Sequence, residues 1–141
     1  MDDGAPVVHD VAPPGVFDAI FHALDASSQP VIGAAKPRLL VIPLHDQGGS
    51  VVGGLWAHTL FDWLHIEMLV VPETRRFQGI GSALLATAET EARKRGCIGA
   101  LVDTFSFQAA AFYRKNGFRQ YADLDDCPRG HERLYFLKRF D

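Results

Sequence analysis

The stretch that decides how this chain reads is VVPETRRFQGIGSALLATAETEARKRG, from Val70 to Gly96. A strand-like run ends at Pro72, and Arg75 and Arg76 follow. Gly79 and Gly81 then flank one apolar residue, and a strongly helical segment begins. The first N–H groups of a helix have no partners inside it, and the helix dipole draws an anion to that end. The turn Gln78-Gly79-Ile80-Gly81-Ser82 therefore points to a bound phosphate. The bland alternative is a pair of glycines that only turns strand into helix.

The common phosphate motifs do not fit. A triphosphate-binding loop needs lysine before its Ser or Thr, so that an ammonium reaches the outer phosphates, but Gly81 precedes Ser82. The dinucleotide fingerprint needs a third glycine where Leu84 stands, although Asp103, at the end of the next strand, imitates the acid that binds ribose. What remains is a run of backbone donors with local positive charge.

At 141 residues, 48% hydrophobic and 22% charged, the chain has the profile of one ordinary soluble domain spanning 1–141. A domain near this size buries about 68–70% of its unfolded surface and needs neither disulfides nor metal to fold. Cys97 and Cys127 show no CxxC spacing and no export signal precedes them, which reads as free thiols in the cytoplasm. No apolar run approaches the ~20 residues of a membrane span. The net charge of -3 argues against nucleic acid as the main partner, since that binding depends on neutralising phosphates.

Outward from the central stretch, APVVHDVAPP reads as a short first strand, and GVFDAIFHALDASSQ carries apolar residues at helical spacing. Three strands follow between Pro37 and Pro72, with turns at HDQGGS and Phe61-Asp62, making the sheet centre antiparallel. A long helix from about Gly79 to Arg95 leads to a strand CIGALVDTF and a shorter helix FQAAAFYRKN. Two closing strands, RQYADL and ERLYFLKRF, complete the chain.

Two motifs in this order resemble those of the GNAT superfamily of N-acetyltransferases. Its acyl-CoA segment runs Gln/Arg-x-x-Gly-x-Gly/Ala, which Arg76, Gly79 and Gly81 fill. Its second motif leads from Asn-x-x-Ala to a Tyr and a Gly-Phe pair. SFQAAAFYRKNGF is similar, with Ala109, Tyr113, Gly117 and Phe118 in register and Ser106 in the Asn place, where Ser is itself a good helix cap. The resemblance runs from about Val51 to Phe118. It implies an α+β fold with a mixed, mainly antiparallel sheet flanked by helices, and acetyl-CoA as co-substrate. Pantetheine would bond to the backbone of Leu69, Val70 and Val71, where two strands splay apart. The pyrophosphate would meet the N–H groups of Gln78, Gly79, Ile80, Gly81 and Ser82, with Arg76 beside it and Ser106 bracing the site. Small residues would let the backbone approach.

The resemblance also assigns chemistry. Tyr113 would point at the thioester sulfur and protonate the departing thiolate as a general acid; the plain alternative is a packed core ring. Glu67 is the first choice for taking the proton of the acceptor amine and His65 the second, and period two puts both on one face with Leu69 and Val71. Asp103 reads as a solvated or capping carboxylate. His-Ile-Glu at His65 opens a zinc-deaminase signature, but no Pro-Cys-x-x-Cys follows, and the histidines lack metal-ligand spacing, so no metal is expected. The stretches FDWLH and DCPRGHERLYF, with Trp63, His131 and Tyr135, would shape the acceptor pocket; ordinary surface turn chemistry is the plain alternative, and for His131 the favoured one. The reading is direct acetyl transfer to a small-molecule or protein amine, with no nucleic acid or membrane partner and a homodimer left open. A non-catalytic acyl-CoA-binding module is the alternative, and a dinucleotide dehydrogenase a more distant one.

Overall fold

The computed structural model describes residues 4–141. They form two units, one ending at Ala35 and the other Lys36–Asp141. The first holds helix α1, Val16–Ile32. It runs past the expected end at Gln29 and takes Pro30 into its last turn. Asp25 ties that end down: one carboxylate oxygen accepts the Ala35 N–H at 2.7 Å and the other accepts the Gln29 amide at 2.9 Å.

The first strand expected in APVVHDVAPP is absent. The stretch is irregular, Val7 and Val8 are exposed, and no described strand pairs with it. Apolar residues alone do not make a strand: its N–H and C=O groups need a neighbouring ladder, and Pro13 and Pro14 bring no donors.

The second unit contains β1 (Arg38–His45), β2 (Val51–Leu60), β3 (Trp63–Val70), α2 (Ile80–Lys94), β4 (Gly99–Phe105), α3 (Ala110–Lys115), β5 (Arg119–Asp125) and β6 (Glu132–Arg139). The sheet order is β1-β2-β3-β4-β6-β5. All neighbours are antiparallel except β3 and β4. The sheet is mixed and mainly antiparallel, as expected, but its centre is the parallel pair, which corrects the antiparallel centre read from the meander. Helix α2 returns the chain to the same end of the sheet before β4 begins, as a parallel neighbour requires.

Helix α2 buries Leu84, Leu85, Ala88 and Ala92, a stripe at helical spacing. They share one core with Leu55 and Ala57 of β2, Leu64 and Ile66 of β3, Ala100 and Val102 of β4, and Phe136 of β6, and α3 adds Tyr113. This core fixes the start of α2 and the position of α3 against the sheet.

Candidate active site

The β3–β4 pairing runs only from Trp63↔Gly99 to Ile66↔Val102, although β3 continues to Val70 and β4 to Phe105. Beyond Ile66 the two central strands part. β3 stays paired to β2 as far as Gly54↔Val70, and β4 to β6 as far as Phe105↔Arg133, so the opening is a wedge inside a continuous sheet. Val70 turns its carbonyl toward Gly53 of β2, so the backbone groups of Leu69, one residue earlier, face β4 without a ladder, and such groups call for another partner.

A bulge accompanies the parting. Trp56 pairs with Met68 and Ala57 with Ile66, so Glu67 is the extra residue, left without an opposite number. The bulge reverses the alternation of faces: Leu64 and Ile66 lie in the core before it, and Leu69 and Val71 pack on the same core after it. His65 therefore does not share a face with Leu69 and Val71, correcting the period-two reading, which holds only for an unbulged strand.

The wedge leads to the start of α2. The first intrahelical bond is Ala83 N–H to Gly79 O at 3.0 Å, so the N–H groups of Ile80, Gly81 and Ser82 precede it as first-turn donors. Gly79 has φ 76 and Phe77 φ 63, and left-handed backbone of this kind turns successive N–H groups into a concave anion nest. Arg76 donates from Nε to Val71 O at 3.3 Å, which links the loop to the wedge. Gly81 has a second reason to be small that the sequence did not reveal. A Cβ there would sit 3.0 and 3.1 Å from the Phe112 ring of α3, so Gly81 also makes room for α3.

Tyr113 is 5% exposed. Its ring contacts Phe112, Phe118 and Phe136 at centroid distances of 5.3, 5.6 and 6.1 Å. Burial, with the charge of Asp103 adding, pushes its phenol up to about 12. It stays protonated through the neutral range and so keeps a hydrogen to donate.

On the other face of the sheet, a pocket of about 440 Å³ opens where β3 and β4 part, with Ile66 and Val102 among its walls. His58, His65 and Glu67 line one side, and Asp103, Arg133, Tyr135 and Tyr121 the other. Tyr121, like Glu67, is the extra residue of a bulge, this one between Gln120 and Ala122 of β5. His65 is half-buried, and burial first, then neighbouring His58, hold its pKa below the ordinary histidine value. His58 and His65 are stacked at 4.8 Å, and His58 Nδ1 lies 3.1 Å from Glu67 Oε1. His58 was missed in the sequence, yet the turn at Phe61-Asp62 sets it opposite His65.

Other sequence candidates fall elsewhere. Ser106 does not cap α3; its hydroxyl accepts the Glu132 N–H at 3.0 Å and braces β6 against the end of β4. Helix α3 starts at Ala110, four residues beyond the motif's Asn place, and the Ala109 N–H before it bonds to Thr104 Oγ1 at 3.4 Å. Asp103 is no free carboxylate: Arg133 donates to it from Nε at 2.9 Å and Nη2 at 2.8 Å. Trp63 packs over Gly99, and His131 against Phe107 at 4.9 Å. Of Trp63, His131 and Tyr135, only Tyr135 lines the pocket, which agrees with the ordinary loop role favoured for His131 and corrects the expectation for Trp63. Among the described residues, Asp123, Asp125 and Glu132 bring three exposed carboxylates within metal-ligand reach of one another, outside this pocket.

The sequence and the fold have counterparts among known proteins. A model of the acetyltransferase (GNAT) family matches residues 13–118. An acetyltransferase of Agrobacterium fabrum is 40% identical over 95% of this chain and 98% of its own. The blasticidin-S acetyltransferase of Streptomyces morookaense is 45% identical over 72% of this chain and 75% of its own. The crystal structure of an acetyltransferase from Bacillus cereus superposes with a TM-score of 0.80 at 30% identity, covering 95% of this chain and 98% of that one. A Bacillus anthracis structure in complex with acetyl coenzyme A shares the fold at a TM-score of 0.64 and 23% identity, over 75% and 65% of the two chains. The chain belongs to the acetyltransferase (GNAT) family. No helix among its described residues is long and apolar enough to cross a membrane.

Proposed function

We propose that the protein transfers the acetyl group of acetyl-CoA to a primary amine by direct attack in a ternary complex. One observation carries this reading: the β3–β4 wedge runs on one side to the donors at the start of α2 and opens on the other into the pocket of His65 and Glu67. Pantetheine takes the backbone of Leu69, Val70 and Val71. The pyrophosphate takes the N–H groups from Gln78 to Ser82, where the helix dipole favours it and Arg76 adds charge. The bound acetyl coenzyme A of the Bacillus anthracis structure supports this choice of donor.

The acceptor enters the pocket as an ammonium, since an alkylamine with a pKa near ~10.4 is protonated at neutral pH. It needs a base before it can attack. Of the two groups expected to serve, His65 is the better suited, being half-buried and held neutral, whereas Glu67 is occupied by His58. Tyr113 donates to the sulfur as it leaves. No acyl-enzyme forms: Cys97 is buried and its thiol pushed up by that burial, so it offers little thiolate. The acceptor is a small-molecule or protein amine, the protein acts in the cytoplasm, and the kinship with a blasticidin-S acetyltransferase makes that compound the first acceptor to try.

The test is a panel of amines incubated with acetyl-CoA while released CoA thiol is followed. Acceptor-dependent release with formation of the acetylated amine supports the reading. Tight CoA binding with no acceptor-dependent release makes the chain a binding module instead.

A further inference from the structure

His58 has no part in either motif, yet it joins Glu67 to His65. The two-residue turn at Phe61 and Asp62 sets it opposite His65 across β2 and β3, and the rings lie nearly parallel, 4.8 Å apart and 5° from coplanar. Glu67, released from the ladder by the bulge, reaches His58 Nδ1 at 3.1 Å. A carboxylate accepts, so this nitrogen carries a hydrogen. His65 Nε2 lies 3.3 Å from Leu60 O. A carbonyl only accepts, so Nε2 is the protonated nitrogen of His65, and Nδ1 holds the lone pair when the ring is neutral.

We propose that His58 is a positioning residue for acetyl transfer: lying on His65 and held by Glu67, it keeps that imidazole in one orientation with Nδ1 ready to take the proton of the acceptor amine. The proposal rests on the functional reading above. One ammonium N–H bond breaks and its proton passes to His65 Nδ1, and the freed pair on nitrogen forms the C–N bond to the thioester carbon. The C–S pair leaves with sulfur, and a second N–H proton is lost from nitrogen and ends on that sulfur.

Stacked imidazoles resist carrying two protons, because like charges this close repel. The carboxylate touches His58 and not His65, and charge on His65 is disfavoured first by its burial and then by its neighbour His58. The remaining ionisable groups facing this pocket are Asp103 on β4, Arg133 and Tyr135 on β6, and Tyr121 on β5. Asp103 and Arg133 neutralise each other at 2.8 Å. His58 and Glu67 are left as the groups that set the state of His65.

Two variants separate ring from donor. His58→Phe keeps a flat ring but loses the donor to Glu67 and the second titrating group; His58→Asn keeps a donor but loses the ring. In the unliganded protein, nitrogen–proton NMR of His65 should show the Nε2–H tautomer and a midpoint below the ordinary ~6.5. In His58→Phe that midpoint should rise by roughly half a pH unit or more, the effect of one charge at this range in a water-like dielectric. The acidic limb of kcat/KM should move up with it, and the KM for acetyl-CoA should not change. If His58→Phe does not fold, His58→Asn should show the same direction of shift. An Nδ1–H tautomer in the wild type, or a midpoint and limb left in place by the folded variant, overturns the proposal. The NMR measurement needs no turnover, so a protein that failed to acetylate any amine would refute the functional reading while this arm still judged the imidazole pair.

Discussion

Replacing Tyr113 by Phe removes one oxygen and leaves the ring packed among Phe112, Phe118 and Phe136. The expected loss follows from the acidity of the phenol. At about 12 it stands ~3.5 pH units above a thiol near ~8.5, so complete proton transfer to the thiolate costs ~5 kcal/mol. Donating a hydrogen bond while charge builds on sulfur is the more favourable course. A hydrogen bond to a charged group contributes about 1.5–3 kcal/mol, which corresponds to about 10- to 160-fold in rate. Tyr113→Phe should therefore lower kcat by that range, short of the ~10⁴-fold upper limit of acid catalysis. Its KM for acetyl-CoA and its melting temperature should hardly move. Steady-state release of CoA thiol measures the first and calorimetry the last. Tyr113→Ala is the packing control and should lose ~3–5 kcal/mol of stability, as buried aromatic truncations do. An unchanged kcat in Tyr113→Phe would refute the role of the hydroxyl and leave Tyr113 a core ring.

Three further outcomes follow from the same geometry. Because the phenol is near 10 when unfolded and about 12 in the fold, its contribution to stability is complete below pH ~10 and is lost as the pH rises toward 12; denaturant midpoints should show this alkaline decline in the wild type and not in Tyr113→Phe. Gly81→Val puts a Cβ 3.0 Å from Phe112, and overpacking of this kind costs ~1–3 kcal/mol; the melting temperature should fall and CoA bind more weakly by calorimetry, whereas wild-type values for both would contradict the close packing. The rate should fall as pH drops through the lowered pKa of His65; His65→Ala should flatten that limb and Glu67→Gln displace it with CoA binding kept, and a wild-type profile in His65→Ala would move the base elsewhere.

Much of this architecture was legible because it rests on local rules. The helical run of α2, its glycine start, the turn at Phe61-Asp62 and the strand runs from Pro37 onward lie where spacing and turn chemistry put them. What stayed hidden depends on partners distant in sequence. The first strand failed because valines need a ladder as well as a face. The bulge at Glu67 is set by the fit of β3 to β2, so the alternation of His65, Glu67 and Leu69 misled at that one residue. Gly81 answers to Phe112, a contact across about thirty residues that no local motif discloses. Ser106 fills the Asn place of the motif but meets Glu132 instead of capping α3. His58 was readable, since the turn that pairs it with His65 was itself identified, but its contact with Glu67 requires the bulge.

The central claim is that the wedge holds acetyl-CoA while an amine in the His65 pocket takes the acetyl group. Mass spectrometry of an amine panel that includes blasticidin S, incubated with purified protein and acetyl-CoA, tests it most directly when CoA thiol is quantified in the same samples. The account predicts an acetylated nitrogen on at least one amine, one thiol released per product, and both lost together when bulk at Gly81 disturbs the start of α2. Bound acetyl-CoA that no amine can discharge, or thiol release equally fast without any acceptor, would contradict it.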